Sequence, residues 1–307
     1  MQALCWAEEF LLSEKAAGKA PCTLRNRRAA LEKLERWLAE QSKAEADLTP
    51  ADLREFVNGL RLRLSADHVN GVVAALRTYF PWCAEEGLRE ANPALRLKFL
   101  RPAPRPVEAL TEQEVSRLVK TATRLRPRER FATHRNAALA LLLLDTGLRV
   151  GEAVRLRLCD VRLGENGEGQ LMATATKTKS VRVVGITPAL RVHLTRYLRR
   201  RAVRVALLGA DTDLLFFSEQ GGPLTVDRAE EGIRRLGERA NLGRRLYPHL
   251  LRHTWATLSL TNGAPLPAVM RLGGWRKLET VQRYTHFSDA AATAVHRATS
   301  PLSAGRR

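Results

Sequence analysis

Between His249 and Tyr284, a span of 36 residues, this chain collects a base, a guanidinium, an indole and a phenol. His249-Leu250-Leu251-Arg252-His253 leads into an apolar run, Leu272-Gly273-Gly274-Trp275 follows, and Arg283-Tyr284-Thr285-His286 closes the stretch. Such a set suits attack on a phosphodiester by a tyrosine. Phosphoryl transfer needs positive groups around the nonbridging oxygens, an acid for the leaving oxygen and a nucleophile in line with it. On a helix, residues three apart share a face, so His249 and Arg252 can point at one phosphate. Arginine suits that place because its planar fork binds phosphate bidentately and keeps its charge. An HxxR pair alone is too common to specify this chemistry.

Further candidates lie upstream. Arg149 follows Thr146-Gly147-Leu148, where a helical pattern breaks and restarts, and Glu152 stands three residues on. From Gln170 to Ile186 the period becomes strand-like in two short runs joined around Lys177-Thr178-Lys179, which predicts a hairpin with lysines at its turn. Each residue also has a plain structural reading. Trp275 could be a core aromatic, and Tyr79, Tyr197 and Tyr247 read as buried tyrosines with capped hydroxyls. Of the four tyrosines, Tyr284 is the one that falls within the stretch from His249. His253 and His286 read as structural or as supports for neighbouring groups.

These residues need elements to hold them. Helical periodicity covers Ala3 to Lys15 and Thr23 to Gln41, with Leu31, Leu34 and Leu38 on one face. Asp47-Leu48-Thr49-Pro50 starts another helix running to Leu64, and Asp67 to Glu86 forms the next. A helical bundle is therefore expected over the first hundred residues, ended by Asn92-Pro93. Arg101-Pro102-Ala103-Pro104-Arg105-Pro106 reads as a stiff connector, dividing the chain into residues 1–105 and 106–307. Thr111 to Glu114 restarts it with a capping box. Helices are expected over 112–123, 135–145 and 188–207, a third strand over Leu214–Phe217, and helix thereafter. The predicted fold class is mainly α with a small antiparallel β-sheet.

Bulk properties narrow the partner. The 307 residues carry a formal charge of +19, unevenly distributed. Residues 1–105 hold 17 bases and 14 acids, residues 106–307 hold 34 and 18, and Gly169 to Ala210 has nine Lys or Arg and no acid. A polyanion, most economically nucleic acid, is implied. Arg25, Arg27 and Arg28 at a helix start oppose the helix dipole, which makes sense beside phosphates. Arg196, Arg199, Arg200, Arg201 and Arg204 form a second basic set suited to phosphate contact. No run of about 18 uncharged apolar residues predicts a membrane span, and Glu8 and Glu9 stand where a secretory signal would need bases, so a cytoplasmic location is expected. Cys5, Cys22, Cys83 and Cys159 have no zinc-ligand spacing and are expected to be reduced and structural. The acids Asp145, Glu152 and Asp160 show no clustered metal-ligand spacing, against a metal-dependent nuclease.

The order Thr146-Gly147-Leu148-Arg149-x-x-Glu152, hairpin lysine, His249-x-x-Arg252-His253, Leu272-Gly273-Gly274-Trp275 and Tyr284 resembles the tyrosine recombinase (phage integrase) family, of the Xer-like type. The resemblance covers about residues 108–288, and the N-terminal part looks like the family's helical, SAM-like core-binding domain. It implies that Tyr284 attacks a DNA phosphate to give a 3′-phosphotyrosyl linkage and a free 5′-hydroxyl, with neither metal nor other cofactor. Arg149 and Arg252 would stabilise the transition state, His249 would act as acid or base near the tyrosine, and Glu152 would orient the first arginine. A hairpin lysine would protonate the leaving oxygen; counting back from Arg182 favours Lys177 over Lys179. Trp275 stands where most family members have histidine, and it would contribute packing and hydrogen bonding. Lys179, Arg182 and Arg200 are further expected DNA contacts.

The implied partner is double-stranded DNA, gripped between the two domains, with a homotetramer or heterotetramer on two sites and a second recombinase in the latter case. Residues 288–299 would form a short tail helix that docks on a neighbouring protomer. The expected role is chromosome or plasmid dimer resolution. A mobile-element integrase, a type IB topoisomerase-like relaxing enzyme and a non-catalytic DNA-binding protein are the alternatives.

Overall fold

The computed structural model describes residues 4–101, 107–164, 169–175 and 180–284. The chain divides into two compact units, Met1–Arg105 and Pro106–Arg307.

The first unit is helical. Its helices are α1 (Ala7–Ala16), α2 (Pro21–Glu40), α3 (Pro50–Arg61) and α4 (Ala66–Glu85), with a 3-10 turn at Glu45–Asp47. Leu31, Leu34 and Leu38 of α2 are buried as their spacing requires, against Val69, Val73, Leu76 and Phe80 of α4. Thr49 caps α3: its hydroxyl accepts from the Asp52 N–H while the Asp52 carboxylate accepts from the Thr49 N–H. Pro21 opens α2, where its missing N–H costs nothing. Tyr79 is fully buried and donates its hydroxyl to Glu45 Oε1 at 2.6 Å, while Arg89 binds the carbonyls of Glu45, Ala46 and Leu48. Arg25 is exposed at the start of α2. Arg27 pairs with Glu14 and Arg28 with Glu8, so both are engaged by α1 of the same unit.

The second unit combines α5 (Glu112–Thr123), α6 (Phe131–Thr146), the single turn α7 (Val150–Ala153), α8 (Pro188–Leu208), α9 (Val226–Arg239), α10 (Pro248–Thr261), α11 (Leu266–Gly273) and α12 (Leu278–Gln282) with a small sheet. Helix α6 is the hub. Ala137 to Leu143 are all buried, and α6 packs on α5, α8, α9 and α10. The sheet has order β1-β2-β3, with β1 Val161–Arg162, β2 Gln170–Thr174 and β3 Val181–Gly185, all antiparallel. Leu171 and Ala173 of β2 point into the core between exposed neighbours, the alternation expected of a one-sided sheet.

The third strand is β1, not the expected Leu214–Phe217. Leu214 makes only a single bridge to Arg157, and Phe217 one to Pro223. Leu215, Phe216 and Phe217 are fully buried core residues, and a short apolar run carries no period by which a strand can be told from a buried turn. Only Cys83 is buried; Cys5, Cys22 and Cys159 are exposed thiols rather than structural ones. None of the described helices is long and apolar enough to cross a membrane.

Candidate active site

Arg252 lies at the centre of the site, on the second turn of α10. Leu250, Leu251, Thr254 and Trp255 bury the flanks of that helix and fix its rotation, so the guanidinium points inward, 4% exposed. It donates to two backbone carbonyls, Gly147 after α6 and Gly273 at the end of α11, the latter at 2.6 Å. Its Cζ sits 4.0 Å from the centre of the Trp275 ring, a cation-π contact made strong by desolvation.

Both glycines are required by this packing. Gly147 adopts φ +62 to end α6, and a Cβ there would lie 2.1 Å from Trp255; a Cβ on Gly273 would lie 2.1 Å from Trp275. Trp255 and Trp275 stack against each other with ring centroids 6.0 Å apart. Trp275 is thus bound into packing and cation-π contact. Burial, followed by the charges of Arg149 and Arg182, pushes the Arg252 guanidinium down to about 9. Its positive charge is undercompensated by the protein, which is the electrostatic condition for binding an anion.

Glu152 organises the other arginines. Its side chain is 1% exposed and accepts two hydrogen bonds from Arg182, at 3.2 and 2.7 Å, one from the Arg149 guanidinium at 3.2 Å and one from the Arg149 N–H at 3.0 Å. Burial alone would raise the carboxyl's pKa, but these hydrogen bonds and charges outweigh it and hold the group below its ordinary range. Arg182 spends its third donor on the Leu272 carbonyl at 2.7 Å and is 11% exposed. Named from the sequence as a DNA contact, it joins β3 to α7 and α11 through these bonds. Pairing Ala173 with Arg182 in the β2–β3 register places it there, a long-range effect that the sequence alone leaves unseen. Arg149, 39% exposed, keeps its guanidinium at the surface of the same cluster.

Tyr284 follows α12 and is half-buried between His253 and Trp275, with ring centroids 5.5 and 5.6 Å away. Its Oη lies 2.6 Å from His253 Nδ1. Burial raises the phenol's pKa, while the charges of Arg252 and Arg283 oppose the rise. His253, read from sequence as a support, is the group in contact with the hydroxyl. The available signal was its spacing: His249 and His253 are four apart and share a face of α10, their rings 6.2 Å apart. His249 is exposed at the rim, and packing around its ring, then the charges of Arg252 and Arg149, push it below the ordinary histidine range.

Tyr79 and Tyr197 are fully committed elsewhere, Tyr197 donating to the Leu215 carbonyl at 2.9 Å. Arg149, His249, Arg252, Trp275 and Tyr284 therefore converge, joined by Glu152, Arg182 and His253. Arg200 lies away from them on α8, donating to the Pro127 carbonyl and lining, with Arg196 and Arg199, a cavity of roughly 640 Å³ against α6. Arg201 is buried and bound to the Thr212 and Leu214 carbonyls, and Arg204 donates to the Glu219 carbonyl. Lys177, Lys179 and the tail helix expected over 288–299 lie outside the described residues. Among the described residues no three His, Cys, Asp or Glu side chains group as metal ligands.

A helical first unit, a second unit built on α6 with a small sheet, and a tyrosine meeting buried arginines define the class of tyrosine recombinases. The phage integrase family matches residues 108–291, its N-terminal SAM-like domain matches residues 8–87, and the chain belongs to that family. It is similar to the tyrosine recombinase XerC of Oceanobacillus iheyensis, 30% identical over 284 residues that cover 91% of this chain and 90% of that one. The tyrosine recombinase XerD of Ralstonia nicotianae is 31% identical over 280 residues, covering 91% and 88%. In fold it resembles the XerH site-specific recombinase bound to palindromic difH substrate in a post-cleavage complex, with TM-score 0.74, 21% identity and coverage of 92% of this chain and 82% of that one.

Proposed function

We propose that this chain is a site-specific DNA recombinase that cleaves and rejoins strands through a 3′-phosphotyrosyl intermediate on Tyr284. The observation that carries this reading is the meeting of the Tyr284 hydroxyl, His253, Trp275 and the undercompensated Arg252, brought together from α10, the turn after α11 and the segment after α12. Tyr284 Oη forms a bond to phosphorus as the bond from phosphorus to the 5′-oxygen breaks. Arg252 and Arg149 bind the nonbridging oxygens, Arg252 presenting the N–H groups not given to Gly147 and Gly273. Glu152 and Arg182 hold Arg149 in place. Lys177, which falls in the sequence between the residues of β2 and those of β3, delivers the proton to the leaving oxygen.

The relatives named tyrosine recombinase XerC and XerD support the recombinase activity, and the role we assign to it is dimer resolution of chromosomes or plasmids. In that role the protein works in the cytoplasm as a tetramer on two DNA sites, with one or two kinds of recombinase chain. The first unit grips the duplex as a core-binding domain, and Arg25 lies exposed on it for phosphate contact, with Lys179 and Arg200 contributing from the second unit. The test is covalent capture. Incubating the full-length protein with a pool of duplexes carrying a random centre, in the presence of EDTA, and recovering protein-bound DNA after denaturation should give an adduct. Tyr284→Phe should abolish that adduct while still retarding the pool in a gel. An adduct that persists in the variant overturns the assignment.

A further inference from the structure

We propose that His253 is the group that takes the proton from Tyr284 as its oxygen attacks phosphorus. The inference rests on the reading of Tyr284 as the nucleophile. Three observations carry it. The Tyr284 Oη to His253 Nδ1 distance of 2.6 Å is a direct hydrogen bond, within the reach a general base requires. Helix α10 holds His253 rigidly, because Arg252, Thr254 and Trp255 beside it are all buried. The charged and titratable groups facing the imidazole are His249 and Arg252 from its own helix and Arg283 and Tyr284 from the segment after α12. Every cation in that set favours the neutral ring, and a neutral ring protonated on Nε2 presents its lone pair at Nδ1 to the phenol. Burial, with those charges, places the imidazole at about 4, so it is neutral at physiological pH and does not take the proton from a resting phenol.

Transfer accompanies bond formation. The Oη–H bond breaks, its proton passes to Nδ1, and the oxygen's electron pair forms the bond to phosphorus. The pair of the breaking bond leaves on the 5′-oxygen, which a separate acid protonates. In rejoining, a 5′-hydroxyl attacks phosphorus while the separate group that had protonated it takes that proton back, and Tyr284 leaves, recovering its own proton from Nδ1. Arg252 and Arg283 offset the charge on the phenolic oxygen in both directions.

The test uses the full-length protein and duplexes captured from the random pool, with the scissile position mapped and rebuilt either as the natural phosphodiester or with sulfur replacing the 5′-bridging oxygen. Sulfur leaves without a proton, so the replacement relieves a missing leaving-group acid and leaves a missing nucleophile base unrelieved. His253→Asn keeps an oxygen acceptor near the Nδ1 position and cannot take up a proton; His253→Ala keeps neither. Both variants are expected to form adduct about 100-fold more slowly on both substrates while binding duplex like the wild type. Wild-type rates with Asn would reduce His253 to an orienting group and overturn the proposal. Recovery on the sulfur substrate would move its role to the leaving group and also overturn it. Nitrogen NMR of the unsubstituted protein gives an independent check, with Nδ1 unprotonated and Nε2 protonated expected; an Nδ1–H would overturn the proposal even if the variants fold poorly. A wild-type protein forming no adduct would remove the reading of Tyr284 itself, whereas an adduct indifferent to His253→Asn removes only this inference.

Discussion

Arg252 and Tyr284 meet at one site but are secured in opposite ways. The arginine is held from every side, by two backbone carbonyls, a tryptophan face and the long helix α10. The tyrosine stands at the end of α12, a helix of five residues whose single buried side chain is Val281. Among the described residues its hydroxyl has one polar contact, His253. The difference separates two demands of phosphoryl transfer. Charge that stabilises a transition state works best when fixed beforehand, because no reorganisation is then required as the reaction proceeds. A nucleophile must instead move from a hydrogen bond to a covalent bond and back.

The contrast can be broken most severely at Glu152. Glu152→Gln leaves Arg182 without its carboxylate in a buried setting, and loss of one partner of such a pair costs about 3–5 kcal/mol. Urea denaturation should show that loss, and adduct formation should fall with it because Arg149 is released. A smaller effect is expected from Gly273→Ala, whose methyl group enters the Trp275 ring. Overpacking of that kind costs about 1–3 kcal/mol, and because it displaces the ring against Arg252, cleavage should drop more than duplex binding. If both arginine-side changes left cleavage intact, the fixed half of the site would not be what catalysis depends on.

The smallest effect belongs to the tyrosine side and is seen in pH. His253 has a folded value of about 4, below the ordinary histidine value, so the native state binds fewer protons than the unfolded chain between the two. Stability should therefore rise with pH across about 4 to 6.5 and be lost as pH falls through that window. In His253→Asn the slope of urea midpoint against pH over that range should be shallower than in the wild type. An unchanged slope would show that the imidazole is not desolvated against Tyr284.

Much of this was legible in the sequence because it depends on local spacing. His249-x-x-Arg252 places two groups on one helical face, Thr111 and Glu114 announce a cap, and Gly147 marks the end of α6. What was not legible depends on contacts between distant segments. Arg182 looked like one more base in an acid-free stretch, and only the β2–β3 register turns it toward Glu152, thirty residues away. The hydroxyl partner of Tyr284 is set by how α12 returns to α10, so His253 looked like a bystander despite its i+4 relation to His249. The arginines of α8 seemed one phosphate-facing set, yet the turn-by-turn geometry of the helix sends Arg201 into the core.

The two carbonyls on Arg252 belong to Gly147 and Gly273, which are 126 positions apart in the chain. One guanidinium therefore works as a rivet through two separate turns, the first leading into Arg149 and the second leading toward Tyr284. A phosphate bound to that guanidinium would be tied to both turns through a single side chain.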